Sequence, residues 1–309
     1  MERREFVKAV ASVGAAFGAE GVAMGQAGTA KADSSASLHP SEQRPLAGDP
    51  GLRNDKQGVA PNDKQVARND KQAAGREFYQ LRKYEVRNGP QLALCQGYFE
   101  RALIPALGRM SMGPVGAFKL DIGPQTPTYY VLIPATDAEA LVTLDARLGK
   151  DAEYVKAAAG FRDAPATAPA FERSERSLLG AFAGWPKLVA PKLVDGKLPK
   201  RIFQLRTYES ASQAAHARKV AMFNEAEIGI FVRTGLTPVF FGDTLIGTRM
   251  PSLTYMLTFA DTAELTAKWA AFGADAAWKD LSRQPGNTDA EIVSNISNLY
   301  LSPLACSQI

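Results

Sequence analysis

Cysteine and histidine are scarce in this sequence, with two of each among 309 residues. The cysteines are Cys95 and Cys306, and the histidines are His39 and His216. These few residues do not supply the four-ligand set that a structural zinc site of Cys and His requires. The sequence therefore predicts no such metal site and no cofactor, although a metal bound only by carboxylates stays open.

Long apolar runs, an excess of charge and familiar catalytic signatures are also missing. Gly, Ser or a charge interrupts every apolar run before the length of about 18 residues that a membrane-spanning helix needs. The formal charge is only +4, with basic and acidic residues interspersed, which argues against a nucleic-acid partner. No Ser-His-Asp set, P-loop, GxGxxG or HExxH occurs. We expect a chain with ordinary buried cores that does not span a membrane.

The first 27 residues have the layout of an export signal. A charged start leads into a weakly apolar stretch rich in Ala and Gly, and small residues around Ala27 suit cleavage. This order resembles a twin-arginine signal peptide, and the residues that carry the resemblance are Arg3, Arg4, Phe6 and Lys8. It implies the twin-arginine translocase as a partner during export and a periplasmic or secreted protein. The alternative is an ordinary arginine-rich chain end.

Residues 28–75 have a polar, repetitive composition. The tetrapeptide Asn-Asp-Lys-Gln starts at Asn54, Asn62 and Asn69, among Gly, Pro, Ala and Ser. Such a segment cannot bury enough apolar surface to offset the entropy lost on ordering. We interpret it as a disordered linker, with a recognition motif as the alternative.

Self-similarity dominates the rest of the chain. The octapeptide FYQLRKYE at 78–85 returns as IFQLRTYE at 202–209, an offset of 124 positions. The same offset relates Phe99 to Phe223 and Arg109 to Arg233. A fixed spacing of this length predicts two copies of one domain, at residues 76–185 and 200–309.

Each copy is predicted to fold in the order βαββαβ, a ferredoxin-like α+β arrangement. The opening octapeptide alternates like a strand. Pro90 suits the first turn of the following helix, Ser212 can cap its counterpart, and Pro105 predicts a kink or an early end. Because a sheet with helices on one face needs cover on the other, we expect the two sheets to pack together as a pseudo-dimeric α/β barrel.

Alternation along the opening strand of each copy predicts a candidate ligand-binding cavity. Leu81 and Leu205 are expected under the helices, and the opposite face is expected to point between the sheets. That face carries Gln80, Arg82 and Tyr84 in the first copy and Gln204, Arg206 and Tyr208 in the second. Each enclosed arginine needs a carboxylate or another anion opposite it. The alternative is structural: the arginines pair with internal acids such as Glu100 or Glu225, or reach the barrel rim, and hold the two sheets in register.

The order of these motifs resembles a known family. Gln-Leu-Arg-x-Tyr strands, a helix followed by a Pro-Val strand, and Asp-x-x-aromatic at Asp151 to Tyr154 and Asp275 to Trp278 are similar to the NIPSNAP domain of the dimeric α/β barrel superfamily. The resemblance covers residues 76–309, and Tyr154 departs from the Trp usual at its position. It implies a ferredoxin-like barrel without a settled reaction, since relatives in the superfamily include cofactor-independent monooxygenases and haem enzymes.

Several single residues have an ordinary interpretation. Asp151 and Asp275 are expected to cap helices, and Arg109 and Arg233 to offset helix dipoles. His216 lies on an apolar helix stripe, where it could be a ligand or a base, but Leu92 is its counterpart in the first copy. Cys95 and Cys306 could pair in an exported protein or remain free thiols.

Two function classes follow. The first is a binding or interaction protein, with a small molecule or another protein as partner, built on the duplicated barrel. The second is a cofactor-independent enzyme, monooxygenase-like or isomerase-like, acting on a small aromatic or anionic molecule in the barrel cavity. In that case Arg82 or Arg206 would orient the substrate, and Tyr84 or Tyr208 would donate a proton.

Overall fold

The computed structural model describes residues 75–194 and 198–309. The predicted signal peptide, with Arg3, Arg4, Phe6 and Lys8, and the predicted linker lie outside the described residues. Within them, no helix combines the length and the apolar character that crossing a bilayer requires.

Eight strands form one closed antiparallel barrel. The strands are β1 (Phe78–Glu85), β2 (Gly116–Ile122), β3 (Thr128–Ala135), β4 (Arg173–Ala181), β5 (Ile202–Glu209), β6 (Pro238–Ile246), β7 (Ser252–Phe259) and β8 (Asn295–Pro303). Around the barrel their order is β1-β3-β2-β8-β5-β7-β6-β4. The prediction of a mixed α/β fold with a barrel is therefore confirmed.

The barrel closes where its two halves meet edge to edge. Residues 75–185, the first half, contribute the sheet β4-β1-β3-β2, and residues 198–309, the second half, contribute β8-β5-β7-β6. Hydrogen-bonded pairs β2–β8 and β4–β6 join the two sheets. At the β4–β6 seam, Gly242 is needed for close approach, because a Cβ there would lie 2.9 Å from the Cβ of Leu179. Neither sheet keeps a free edge.

Helices cover the outer face of each half. In the first half they are α1 (Pro90–Tyr98), α2 (Ile104–Arg109), α3 (Ala138–Val142), α4 (Leu144–Leu148) and α5 (Ala152–Arg162). In the second half they are α6 (Gln213–Met222), α7 (Ile228–Arg233), α8 (Thr262–Ala274), α9 (Ala276–Ser282) and α10 (Asp289–Ile292). Pro90 begins α1 and Ser212 caps α6, as predicted.

A π-helical turn interrupts the first long helix of each half. Phe99–Leu103 joins α1 to α2, and Phe223–Glu227 joins α6 to α7. The helix does not end at Pro105 but continues to Arg109, because Pro105 occupies the first turn after the π segment, where its missing N–H costs little. The second half makes the same turn without a proline.

Matching ion pairs tie these helices together. Asp151 and Asp275 cap α5 and α9, as predicted. Arg109, at the end of α2, lies 2.6 Å from the Asp151 carboxylate, and Arg233, at the end of α7, lies 2.9 Å from that of Asp275. The two arginines thus do more than offset a helix dipole: each fixes the end of one helix to the start of another.

Three apolar cores result, one in the barrel interior and one under each set of helices. The interior core contains Tyr79, Phe118, Phe203, Leu205 and Phe240, with Leu81 packed against it. The predicted orientation of β1 and β5 is therefore wrong: the face with Leu81 and Leu205, which was predicted to meet the helices, lines the barrel interior. The interior is enclosed on all sides and takes the more apolar face of each strand, while the polar face meets the helices.

Candidate functional site

The six predicted site residues lie between the sheet and the helices, in two separate groups. Gln80, Arg82 and Tyr84 lie beneath the helices of the first half, and Gln204, Arg206 and Tyr208 beneath those of the second. None of the six lines the cavity of about 250 Å³ at one end of the barrel. The two arginines do not converge, and each must be described in its own surroundings.

The first group is a closed set of polar contacts, which we call the Arg82 cluster (Gln80, Arg82, Asp145 and Arg176). The Arg82 side chain is 1% exposed, and its NH2 lies 3.1 Å from Asp145 on α4. Arg82 Nε donates to Gln80 Oε1 at 2.5 Å, and Gln80 Nε2 donates to the Leu141 carbonyl at 2.8 Å. Asp145 also accepts a hydrogen bond from Arg176. Arg82 is thus neutralised by an acid of its own chain.

The electrostatics agree with this pairing. Burial by itself raises the pKa of Asp145, but Arg82 and then Arg176 outweigh it and lower the pKa below its usual range. The partner is Asp145, however, and not Glu100, the acid that the structural alternative named. Glu100 lies 3.8 Å from Arg101 on the surface.

The second group has aromatic rings where the first has an acid. The Arg206 guanidinium lies 4.6 Å from the centre of the Trp269 ring, 5.3 Å from that of Tyr208 and 5.9 Å from that of Tyr255. Its Nε is buried without a hydrogen-bond partner. No carboxylate of the described residues forms an ion pair with it, and Glu225 instead lies 4.0 Å from Arg218. Aromatic faces attract a cation but leave its hydrogen-bond donors unused.

A buried ion pair that the sequence analysis missed lies in the same core. Lys219 of α6 and Glu227, the last residue of the π-helical turn, are 3.3 Å apart, with side chains 1% and 2% exposed. Burial lowers the pKa of Lys219, but Glu227, Tyr208 and Asp289 together outweigh burial and raise the pKa above its usual value, so the ammonium stays charged. Burial raises the pKa of Glu227, against the effect of Lys219. The Lys219 ammonium also lies 5.3 Å from the centre of the Tyr208 ring.

We call this second group the Arg206 cluster (Arg206, Tyr208, Lys219, Glu227, Tyr255 and Trp269). Its interior holds two cations, Arg206 and Lys219, but one carboxylate, Glu227. Asp289, 3.8 Å from Lys219, has a side chain 64% exposed and lies at the edge. Charges removed from water are normally paired with a counterion. The interior of the cluster has one carboxylate fewer than it has cations.

Equal spacing relates the two clusters position by position. Asp145 follows Arg82 by 63 residues, and Trp269 follows Arg206 by 63. In the same register Cys95 corresponds to Lys219 and Leu103 to Glu227. The offset of 124 found in the sequence therefore contained the signal that the two arginines have different partners.

Tyr84 of β1 and Tyr208 of β5 both contact neighbouring aromatic residues of their own half. Tyr84 packs against the rings of Phe99, Phe161 and Phe171. The Tyr208 hydroxyl accepts a hydrogen bond from Tyr255 at 3.2 Å. Gln204 Oε1 accepts from the Trp269 indole N–H at 2.7 Å, which fixes the ring beside Arg206. Neither tyrosine points into the barrel, where the enzyme hypothesis placed its proton donor.

The remaining single residues are also placed. His216 is buried, its Nε2 lies 2.7 Å from Asp243 Oδ1, and its Nδ1 has no partner among the described residues. Cys95 and Cys306 are free thiols, and burial raises the pKa of Cys95 to about 12, so it is inert as a nucleophile. No three His, Cys, Asp or Glu side chains in residues 75–194 and 198–309 are grouped so that they could hold a metal ion.

Three solved structures illustrate what the chain is similar to. A proposed monooxygenase from Lactobacillus acidophilus NCFM is 8% identical, with 74% of this chain and 94% of that chain covered and a TM-score of 0.49. An uncharacterized NIPSNAP-like domain protein from Burkholderia xenovorans is 18% identical, with coverages of 34% and 86% and a TM-score of 0.31. A NIPSNAP family protein from Agrobacterium tumefaciens strain C58 is 17% identical, with coverages of 35% and 98% and a TM-score of 0.31.

The comparison with curated proteins found no match. The comparison with family models found one match, which covers the strands and helices that carry the Arg206 cluster. Residues 203–308, nearly the whole second half of the barrel, match the NIPSNAP family model.

Proposed function

We propose that this protein binds a small anionic molecule through the Arg206 cluster. The observation that carries the proposal is the difference between two arginines at corresponding positions. Arg82 has Asp145 at 3.1 Å, and Arg206 has no carboxylate partner among the described residues. An external carboxylate would supply the counterion that the chain provides in the first half.

The surroundings of Arg206 favour an aromatic or flat acid as the ligand. A guanidinium presents parallel N–H donors that match the two oxygens of a carboxylate. The rings of Tyr208, Tyr255 and Trp269 lie beside the guanidinium, and aromatic rings pack well against a planar apolar body. Arg206 remains partly exposed, unlike Arg82.

Binding is favoured over catalysis. The enzyme hypothesis assumed an open barrel cavity lined by the arginines and tyrosines of β1 and β5. The barrel interior is instead packed with Tyr79, Phe118, Phe203 and Phe240. The arginines and tyrosines face outward, toward the helices. The Tyr208 hydroxyl already accepts a hydrogen bond from Tyr255, and burial raises the pKa of Tyr255 well above its usual value, so the Tyr255 phenol keeps its proton near neutral pH.

The test is a calorimetric titration with benzoate. We expect benzoate to bind the wild type and its neutral analogue benzamide not to bind. Arg206→Gln should weaken benzoate binding by at least about tenfold, because a charge-assisted hydrogen bond is lost. Arg233→Gln, which removes a surface arginine of the same half, is the matched control. Equal affinity in the wild type and Arg206→Gln, or no binding by the wild type, would contradict the proposal.

We further propose that the two halves are copies of one ferredoxin-like domain, at residues 76–185 and 200–309. The 124-residue offset, the repeated βαββαβ order and the paired contacts Arg109–Asp151 and Arg233–Asp275 support this. A crystal structure of the full chain tests the proposal: the two halves should superimpose by a rotation about an axis along the barrel. Halves whose strands and helices do not superimpose would contradict it.

Export through the twin-arginine pathway is also part of the proposal, and it rests on Arg3, Arg4, Phe6 and Lys8. Changing both arginines to lysine should retain the full-length chain in the cytoplasm. Cell fractionation followed by immunoblotting measures this, and undisturbed export of the double variant would contradict the assignment.

A further inference from the structure

A second candidate site lies at one end of the barrel, next to the packed interior. It is a cavity of about 250 Å³. We call this end the barrel mouth: β1 and β5 end here, β4 and β8 begin here, and the turns at 124–125 and 248–249 form its rim. It belongs to neither helix-covered cluster, and nothing in the proposed function uses it.

The floor of the barrel mouth is apolar. Leu81, Leu205 and Leu299 line it together with the Tyr130 ring, and all four belong to or pack against the interior core. The pKa of Tyr130 is raised to about 12, chiefly by burial, so its phenol keeps its proton and stays a donor. A flat apolar base with a hydroxyl at one side suits a ligand that has a C–H face and polar edges.

The walls carry hydroxyl groups, mostly from the second half. Thr207 and Thr254 lie 2.9 Å apart through their Oγ1 atoms, and Ser252 Oγ donates to Thr244 Oγ1 at 3.0 Å. In each pair one hydroxyl hydrogen is used and the other remains available, as do lone pairs on both oxygens. Each pair can therefore both donate to a ligand and accept from it.

Each cation of the barrel mouth already has a carboxylate partner. Lys83 lies 2.6 Å from Glu85 and 3.5 Å from Glu175. Arg249 lies 3.5 Å from Glu209 and donates to Ser297 at 3.1 Å. An ionic ligand would have to break one of these pairs, whereas a neutral ligand would not.

We propose that the barrel mouth binds a small neutral polyol, such as a monosaccharide. The hydroxyl pairs match a ligand whose own hydroxyls donate and accept, the apolar floor matches its C–H face, and the existing ion pairs disfavour an ionic ligand. The volume is below the range of about 300–1,000 Å³ for drug-sized ligands, which suits a molecule of one sugar ring. This site is independent of the Arg206 cluster.

The experiment is an NMR titration of the full chain with D-glucose and with myo-inositol, followed through the threonine methyl signals. We expect at least one polyol to shift the methyl signals of Thr207, Thr244 and Thr254, and Thr254→Val to weaken its binding at least tenfold. Thr258→Val changes the same strand four residues away, outside this cavity, and should bind like the wild type.

The outcomes separate this site from the other. Arg206→Gln should bind the polyol with unchanged affinity even if it no longer binds benzoate. A thermal melt shows whether each valine variant is folded, and Ser252→Ala gives a second, smaller change to the same wall. Absence of binding by both polyols, unchanged affinity in both wall variants, or shifts at these methyls caused by inorganic phosphate instead would overturn the proposal.

Discussion

The two halves of the barrel share a frame and differ in their polar cores. Both halves place an arginine at the fifth position of their first strand, tie two helices with an Arg–Asp pair and widen one helix with a π-helical turn. Yet Arg82 meets Asp145, while Arg206 meets Trp269 at the corresponding position. The second core adds the Lys219–Glu227 pair where the first has Cys95 and Leu103.

The difference shows that an arginine at the same strand position can have two kinds of surroundings. In the first half its counterion is part of the chain, so the cation strengthens the attachment of α4 to β1. In the second half the cation rests on π faces with an unused donor, a state that is tolerable because the rings supply part of the attraction. The first cluster is complete by itself, and we propose that an anion completes the second.

The largest expected effect concerns the Lys219–Glu227 pair. Glu227→Leu should lower the free energy of unfolding by about 4 kcal/mol, because it leaves a buried ammonium with only Asp289 nearby. The double variant Lys219→Met/Glu227→Leu, apolar like the first half, should be within about 1 kcal/mol of the wild type. Urea denaturation measures both, and additive losses in the double variant would show that the pair does not act as a unit.

The two arginines should respond differently to truncation. Arg82→Ala should lower the free energy of unfolding by about 3 kcal/mol, since the buried Gln80 loses its partner and the half-exposed Asp145 loses one of its two arginines. Arg206→Ala should cost less than about 1 kcal/mol or even stabilise the protein without ligand, because no carboxylate is left unpaired. Thermal and urea unfolding compare them, and equal losses would remove the distinction between the halves.

The first half should become responsive to anions when its own acid is removed. Asp145→Ala should lower the free energy of unfolding by about 2 kcal/mol. Removal of a fully buried partner would lower it more, but the Asp145 side chain is half exposed. Formate should then raise the melting temperature of this variant more than that of the wild type. Asp163→Ala, a change at an exposed acid of the same half, is the control, and an equal response to formate in both would argue against a vacant counterion position.

The smallest effects should be the same in both halves. Hydrogen bonds from the Tyr154 and Trp278 backbone N–H groups, followed by those from Arg109 and Arg233, lower the pKa values of Asp151 and Asp275. A carboxyl whose pKa is lowered by folding stabilises the fold at pH values above its unfolded pKa of about 3.9. This stabilisation is lost as the pH falls through the lowered pKa, so acid should abolish the contributions of both aspartates. Asp151→Asn and Asp275→Asn should therefore lower the melting temperature slightly and equally at pH 7, and neither should do so at pH 2.

Much of the frame could be predicted from the sequence, because periodicity and capping are local. Ser212, Pro90, Asp151 and Asp275 each satisfied a backbone requirement that is visible within a few residues. The 124-residue offset also aligns the two barrel halves in one register, because it depends only on positions along the chain.

The orientation of β1 and β5 could not be obtained in this way. Alternation separates Gln80, Arg82 and Tyr84 from Tyr79 and Leu81, but it does not say which face meets helices. That choice depends on long-range contacts: Asp145 and Trp269 approach the arginines from helices 63 residues further on. Lys219 was missed because it lies in an otherwise apolar helix stripe, and its acid partner comes from the π-helical turn.

Arg206, and not Arg82, is the arginine that we propose receives an external anion. The most direct measurement is the NMR signal of each arginine Nε–H during a benzoate titration, with the two signals assigned through Arg82→Lys and Arg206→Lys. The Arg206 Nε–H signal should move and saturate, because this donor has no partner in the described chain, and the Arg82 signal should stay where its hydrogen bond to Gln80 holds it. If both signals move alike, or if neither moves, the proposed difference between the two halves is contradicted.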